Sequence, residues 1–178
     1  MDGATTDRDP AAAGGDVYRL AHRWRIEGPI DTVYYYLTHG RTFPEWWPVF
    51  RDVQTDAGEV AVGARSRFWV RSVLPYGLEW DCTITQLEPP HLLELDTRVA
   101  LGGWFRLAGP IRFHLRQDGP LVEVLNEQEM RADRRLPGPL RALARRAFAY
   151  NHARAMASGE RGLQRAVRAA VANRGAAG

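Results

Sequence analysis

The chain has 178 residues, 45% of them hydrophobic and 25% charged, and all 24 of its basic residues are arginine. That balance excludes a disordered polypeptide, and at this length one domain with a real core is expected. Cys82 is the only cysteine and no apolar run approaches the ~20 residues of a spanning helix, which excludes an internal disulfide, a multi-cysteine zinc site and a helical membrane anchor.

Residues 1–15 are mostly Ala, Gly, Asp and Thr and predict a disordered leader; they lack the apolar run of a secretory signal, so a cytoplasmic location is expected. A single domain is expected over residues 16–172, and residues 173–178 read as a frayed tail. From Val17 to Glu27 the residues alternate, with Tyr18, Leu20, His22, Trp24 and Ile26 on one face and arginines opposite them, the pattern of a half-buried strand. Gly28-Pro29 breaks the strand. Asp31 can then cap a short helix through Leu37, and a second helical segment or turn follows around Phe43–Pro48.

Period two then returns. Ser66, Phe68 and Val70 oppose Arg65, Arg67, Trp69 and Arg71. Leu78, Trp80, Cys82 and Ile84 oppose Glu79, Asp81, Thr83 and Thr85. Leu93, Leu95, Thr97 and Val99 oppose Glu94, Asp96 and Arg98. Ile111, Phe113 and Leu115 oppose Arg112, His114 and Arg116. Val122, Val124, Asn126, Gln128 and Met130 oppose Glu123, Glu127 and Glu129. Strands joined by turns as short as Glu88-Pro89-Pro90 and Asp118-Gly119-Pro120 predict an antiparallel meander.

From Pro139 the period changes to three or four residues, through Leu140, Ala144, Phe148, Asn151, Ala155, Gly159, Gly162 and Ala166. This predicts one amphipathic helix of about 30 residues, lying on the concave side of the meander. Charge divides at the same place. Through Met130 there are 13 Arg against 19 acidic residues, and from Arg131 onward 11 Arg against 2. An acidic body therefore precedes a basic helix.

In order and spacing, Ile30-Asp31-Thr32-Val33-Tyr34, Pro44-Glu45-Trp46-Trp47-Pro48, Leu74-Pro75-Tyr76, Glu88-Pro89-Pro90 and Tyr150-Asn151-His152 with Met156 carry a resemblance. Over about residues 17–170 the chain resembles the START-related helix-grip (SRPBCC) superfamily, and most of all its bacterial polyketide cyclase/dehydrase and lipid transport branch. The resemblance implies an α+β helix-grip fold. A curved antiparallel sheet of six to seven strands would wrap a long C-terminal helix, with two short helices after the first strand. It also implies a cavity between sheet and helix holding a polyketide-, lipid- or isoprenoid-like molecule. Members of the superfamily include both carriers and aromatase/cyclases, so fold alone does not choose between binding and catalysis.

The alternation supplies the candidate site. An inward face mainly of aliphatic residues carries Tyr18, His22, Trp24, Trp80, Thr97, Phe113, Asn126 and Gln128, and the helix adds Phe148, Asn151 and His152. An apolar wall with a few polar groups suits a hydrophobic small molecule. His22 and His152 are the acid–base candidates. Arg67, with Arg65 and Arg71, polarises a substrate carbonyl if that strand face is inward, and is solvated if it is not. Trp46 and Trp47 are either a lid over the ligand or a plug in one end of the sheet. The carboxylates share the outward phase, which weakens a hydrolase reading that needs paired acids. No metal or cofactor is expected, and no nucleic-acid module is visible. The arginine-rich helix either presents a solvated back or makes weak contact with acidic lipid headgroups or with an acidic carrier protein.

Overall fold

Strand β1 (Val17–Glu27) ends at Gly28, whose φ of 146° no side-chain-bearing residue readily adopts, and the chain turns into helix α1 (Ile30–Thr38). A 3-10 turn (Gly40–Thr42) leads to the one-turn helix α2 (Phe43–Trp46), with Pro44 in its first turn. Six strands follow: β2 (Phe50–Thr55), β3 (Arg65–Val70), β4 (Leu78–Glu88), β5 (Leu92–Leu101), β6 (Phe105–Asp118) and β7 (Leu121–Ala132). Helix α3 (Gly138–Ala176) closes the chain. The computed structural model describes residues 15–56, 58, 60–71, 78–101, 105–134 and 137–176. The expected leader up to residue 14 and the Leu74-Pro75-Tyr76 motif lie outside the described residues.

All seven strands form one antiparallel sheet in the order β1-β7-β6-β5-β4-β3-β2. Each of β2 to β7 pairs with its sequence neighbour, and β1 pairs with β7, so the strand before the short helices meets the strand before the long one. This is the helix-grip arrangement: seven strands, short helices after the first, and a long terminal helix. Helix α3 has 39 residues, longer than the expected 30, and continues through Asn173 to Ala176, where a frayed tail was expected.

The two sheet faces differ as the alternation requires. On the convex face, arginines and carboxylates stand opposite one another on neighbouring strands. Arg19 pairs with Glu129 at 3.0 Å, Arg67 with Asp81 at 2.6 Å and Arg116 with Glu123 at 2.9 Å, and Arg112 pairs with Glu94. Every one of these is a cross-strand register pair. These four carboxylates are thus neutralised locally by the body's own arginines.

The concave face is filled at its centre by aromatic rings. Phe43 stacks on Phe68 with ring centroids 5.3 Å apart, Trp46 stacks on Trp47 at 5.2 Å, and Trp24 meets Trp47 edge-on at 5.4 Å. Helix α3 closes onto this block through two glycines. A Cβ at Gly162 would collide with the Trp46 carbonyl, and one at Gly159 with the Trp47 indole. The Trp47 Nε1–H donates to the Ala155 carbonyl at 2.9 Å. The tryptophan pair is therefore a plug binding α2 to α3, and Trp46 is core rather than lid.

Candidate functional site

Away from the plug, toward the N-terminal half of α3, the inward face becomes polar. His22 on β1 is the register partner of Asn126 on β7, and Leu20 is the partner of Gln128. Because side chains two apart share a face, these four form one inward patch. The buried stripe of α3 runs through Met156, Leu163 and Val167, and His152 stands one turn before Met156. That spacing sets its imidazole over the patch.

The polar groups form a continuous chain. His22 Nε2 lies 2.9 Å from His152 Nδ1, His152 Nε2 lies 3.0 Å from Gln128 Oε1, and Gln128 Nε2 donates to Asn126 Oδ1 at 2.8 Å. The direction of every bond follows from one end. Gln128 Oε1 can only accept, so His152 carries its proton on Nε2 and offers the lone pair of Nδ1 to the Nε2–H of His22. His22 is left with a lone pair on Nδ1, and Asn126 with its amide N–H groups. Asn126 is 0% exposed and its Nδ2 is buried with no hydrogen-bond partner.

Burial disfavours charge here. It pushes the His152 imidazole down to about 4, the neighbouring His22 adding to the effect, and it lowers His22 in the same direction. Both rings are neutral near pH 7, which the alternating donor–acceptor chain requires. The Phe148 ring borders His152 at 5.9 Å and meets Tyr18 edge-on at 5.2 Å. Beyond Tyr18, the guanidinium of Arg145 lies 5.6 Å from the ring centroid. Arg141 and Arg145 approach Asp16 Oδ1 at 3.6 and 3.7 Å, tying the start of α3 to the start of β1.

The residues expected at the site thus separate into groups. Tyr18, His22, Asn126, Gln128, Phe148 and His152 gather at the polar end, with Asn151 half-buried beside them. Trp24, Trp46 and Phe113 belong to the aromatic core. Trp80 stands on the far side of that core against Phe50 and Phe68, its Nε1 buried and unpartnered. The Thr97 hydroxyl is spent on the Gly109 carbonyl at 2.8 Å.

Of the two faces open to Arg67, the outer one is occupied: it lies on the convex face in a pair with Asp81, because Phe68 takes the inward position. Leu140 also departs from the expected apolar stripe and is exposed. Cys82 is buried and its thiol is pushed up to about 12, chiefly by burial and further by Asp81, which disfavours the thiolate. Asp16, the buried anchor of α3, carried no signal in the sequence, since a single acid before a strand has no periodic context.

Among the described residues, no three His, Cys, Asp or Glu side chains gather as a metal site, and no helix is long and apolar enough to cross a membrane. Surface depressions of about 410 Å³ and 260 Å³ occur, the first between α1 and the end of α3. The second runs along the β1–β7 ladder and reaches Leu20 and Gln128 of the polar patch.

No family model matches the chain, and no curated protein is significantly similar to it in sequence. Solved structures are similar. The Zhui aromatase/cyclase from Streptomyces sp. R1128 is 15% identical with a TM-score of 0.65, over 86% of this chain and 95% of that one. A START superfamily protein from Mycobacterium smegmatis is 12% identical with a TM-score of 0.62, over 84% and 97%. The ginseng major latex-like protein 151 from Panax ginseng is 14% identical with a TM-score of 0.58, over 83% and 95%. These likenesses are of fold: the chain shares the helix-grip fold with these proteins.

Proposed function

We propose that the concave face beneath the N-terminal half of α3 binds a neutral, hydrophobic, cyclic or aromatic small molecule of polyketide-, lipid- or isoprenoid-like character. One observation carries the reading: a directed hydrogen-bond chain on an apolar face ends in a fully buried amide donor with no partner. Leaving such a donor unpaired costs about 1–3 kcal/mol, which a ligand oxygen would recover. Inward-facing Leu20, His22 and Gln128 keep partial exposure, so α3 does not seal this end. Apolar contact alone supports weak binding. About 300 Å² of hidden ligand surface gives about 7 kcal/mol, and association takes back several. The polar chain would therefore set identity. Native mass spectrometry of the purified chain against a panel of polycyclic ketones and their parent hydrocarbons tests the reading. Ketones should be retained in preference and lose that preference in Asn126→Leu. A panel in which nothing is retained defeats it.

The His22–His152 pair favours a second reading, a cofactor-independent aromatase/cyclase or dehydratase using the same face. His22 Nδ1 has the free lone pair a general base needs, and His152 behind it fixes the tautomer. A reactive poly-β-ketone mimic should then give cyclised products in ratios that change with His22→Ala. Ratios unaffected by the protein leave binding as the function.

A further inference from the structure

Leu140, Leu143 and Tyr150 of α3 are 57, 65 and 64% exposed. With Ala147 they are spaced three, four and three residues apart, so they form a single line along the helix. That line lies opposite the stripe of His152, Met156, Leu163 and Val167 that packs on the rest of the fold. Continued along the helix at the same spacing it becomes basic, through Arg154, Arg161 and Arg165, all exposed. From Leu140 to Arg165 it is about 38 Å long.

Arg19, Arg67, Arg112 and Arg116 of the convex face have cross-strand carboxylates, Arg141 and Arg145 turn toward Asp16, and Arg168 pairs with Glu27. Among the described residues no ion pair is made by Arg146, Arg154, Arg161 or Arg165. The single acid of α3, Glu160, accepts the backbone N–H of Arg25 at 3.0 Å and faces away from the line. The helix back therefore presents unneutralised positive charge in a straight row that starts with large apolar side chains. A purely solvated face needs neither feature.

We infer that this outer face of α3 is a docking surface for an anionic lipid bilayer. Leu140, Leu143 and Tyr150 enter the interfacial layer, and Arg154, Arg161 and Arg165 rest on headgroup phosphates and carboxylates. Charge selects this occupant over a second copy of the chain, since two such faces back to back would oppose Arg154, Arg161 and Arg165 with the same three arginines, Glu160 being turned away from the line on each. A bilayer alone offers an anionic plane and an apolar layer side by side along a straight helix. Tyrosine is also a side chain favoured at that boundary. The surface is independent of what the concave face holds.

The test is co-sedimentation of the full chain with vesicles of phosphatidylcholine alone and of phosphatidylcholine mixed with phosphatidylserine. Binding is expected only to the mixed vesicles and should fall with added salt. Each arginine is worth about fivefold in partitioning, so Arg154→Gln/Arg161→Gln/Arg165→Gln together should weaken binding about a hundredfold. Leu140→Ser/Leu143→Ser should abolish what remains. All five positions are exposed, so circular dichroism and urea unfolding of the variants should match the parent. Equal binding to both vesicle types, unchanged binding by the triple variant, or no vesicle binding would each overturn the inference. Salt-sensitive retention on immobilised polyglutamate without vesicle binding would assign the face to an acidic protein instead, and also overturn it.

Discussion

The buried histidine relay makes stability depend on pH. His152 is held at about 4 in the folded protein against an unperturbed 6.5, mainly because burial disfavours the imidazolium. Below pH 6.5 the unfolded chain therefore binds a proton that the folded chain refuses. The stabilisation is complete above 6.5 and is lost as pH falls toward 4. Integrated over that gap, it amounts to about 3 kcal/mol, of which about 2 kcal/mol is gone by pH 5. His22, lowered by its own burial, acts in the same direction. Glu123 and Glu129, held low by hydrogen bonds from Arg116 and Arg19, begin to lose their contribution only as pH falls below about 4.5, so the two groups separate. Urea unfolding at pH 7, 6 and 5 should show the parent weakening by about 2 kcal/mol, and His152→Gln losing most of that slope while remaining folded. A parent equally stable at pH 7 and 5, or a variant with the full slope, would refute the neutral relay.

Other expectations concern packing and the face each residue occupies. Gly162→Ala should lower the urea midpoint by an amount equivalent to about 1–3 kcal/mol, because its Cβ meets the Trp46 backbone carbonyl, which cannot swing aside. Gly175→Ala, with open space around it near the end of the same helix, should cost nothing. Arg67→Ala should change stability by less than about 1 kcal/mol and leave ligand retention untouched, since its pair with Asp81 is half-exposed on the convex face. Cys82 should resist a thiol reagent at pH 8 in the native protein and react fully in urea, a difference read directly from the rate of labelling.

Where alternation was regular, the fold was legible. β1, β4, β5, β6 and β7 each announce an inward and an outward face, and the turns between the later strands are short enough to force antiparallel neighbours. β2 was not legible. Arg51 and Asp52 are both exposed and the register shifts between Phe50 and Asp52, so the irregularity erased the period that would have revealed the strand. The helical stripe is legible from Ala144 onward but not at Leu140, because an exposed leucine at helical spacing looks like a buried one. His22 and His152 could each be nominated as polar residues on apolar faces. Nothing in the sequence said that they touch.

By itself, then, the amino-acid sequence determined which side of each element is apolar and that one long basic helix must lie on the sheet, because burial follows periods of two and 3.6. Tertiary structure alone decided what those faces bring together. The pairing of β1 with β7 and the seating of α3 against the tryptophan plug carry His152 onto His22 across 130 positions of sequence. They also end the relay in an unpaired Asn126 and send Arg67 to solvent. Such contacts depend on register and on the direction in which a helix lies, and local sequence encodes neither.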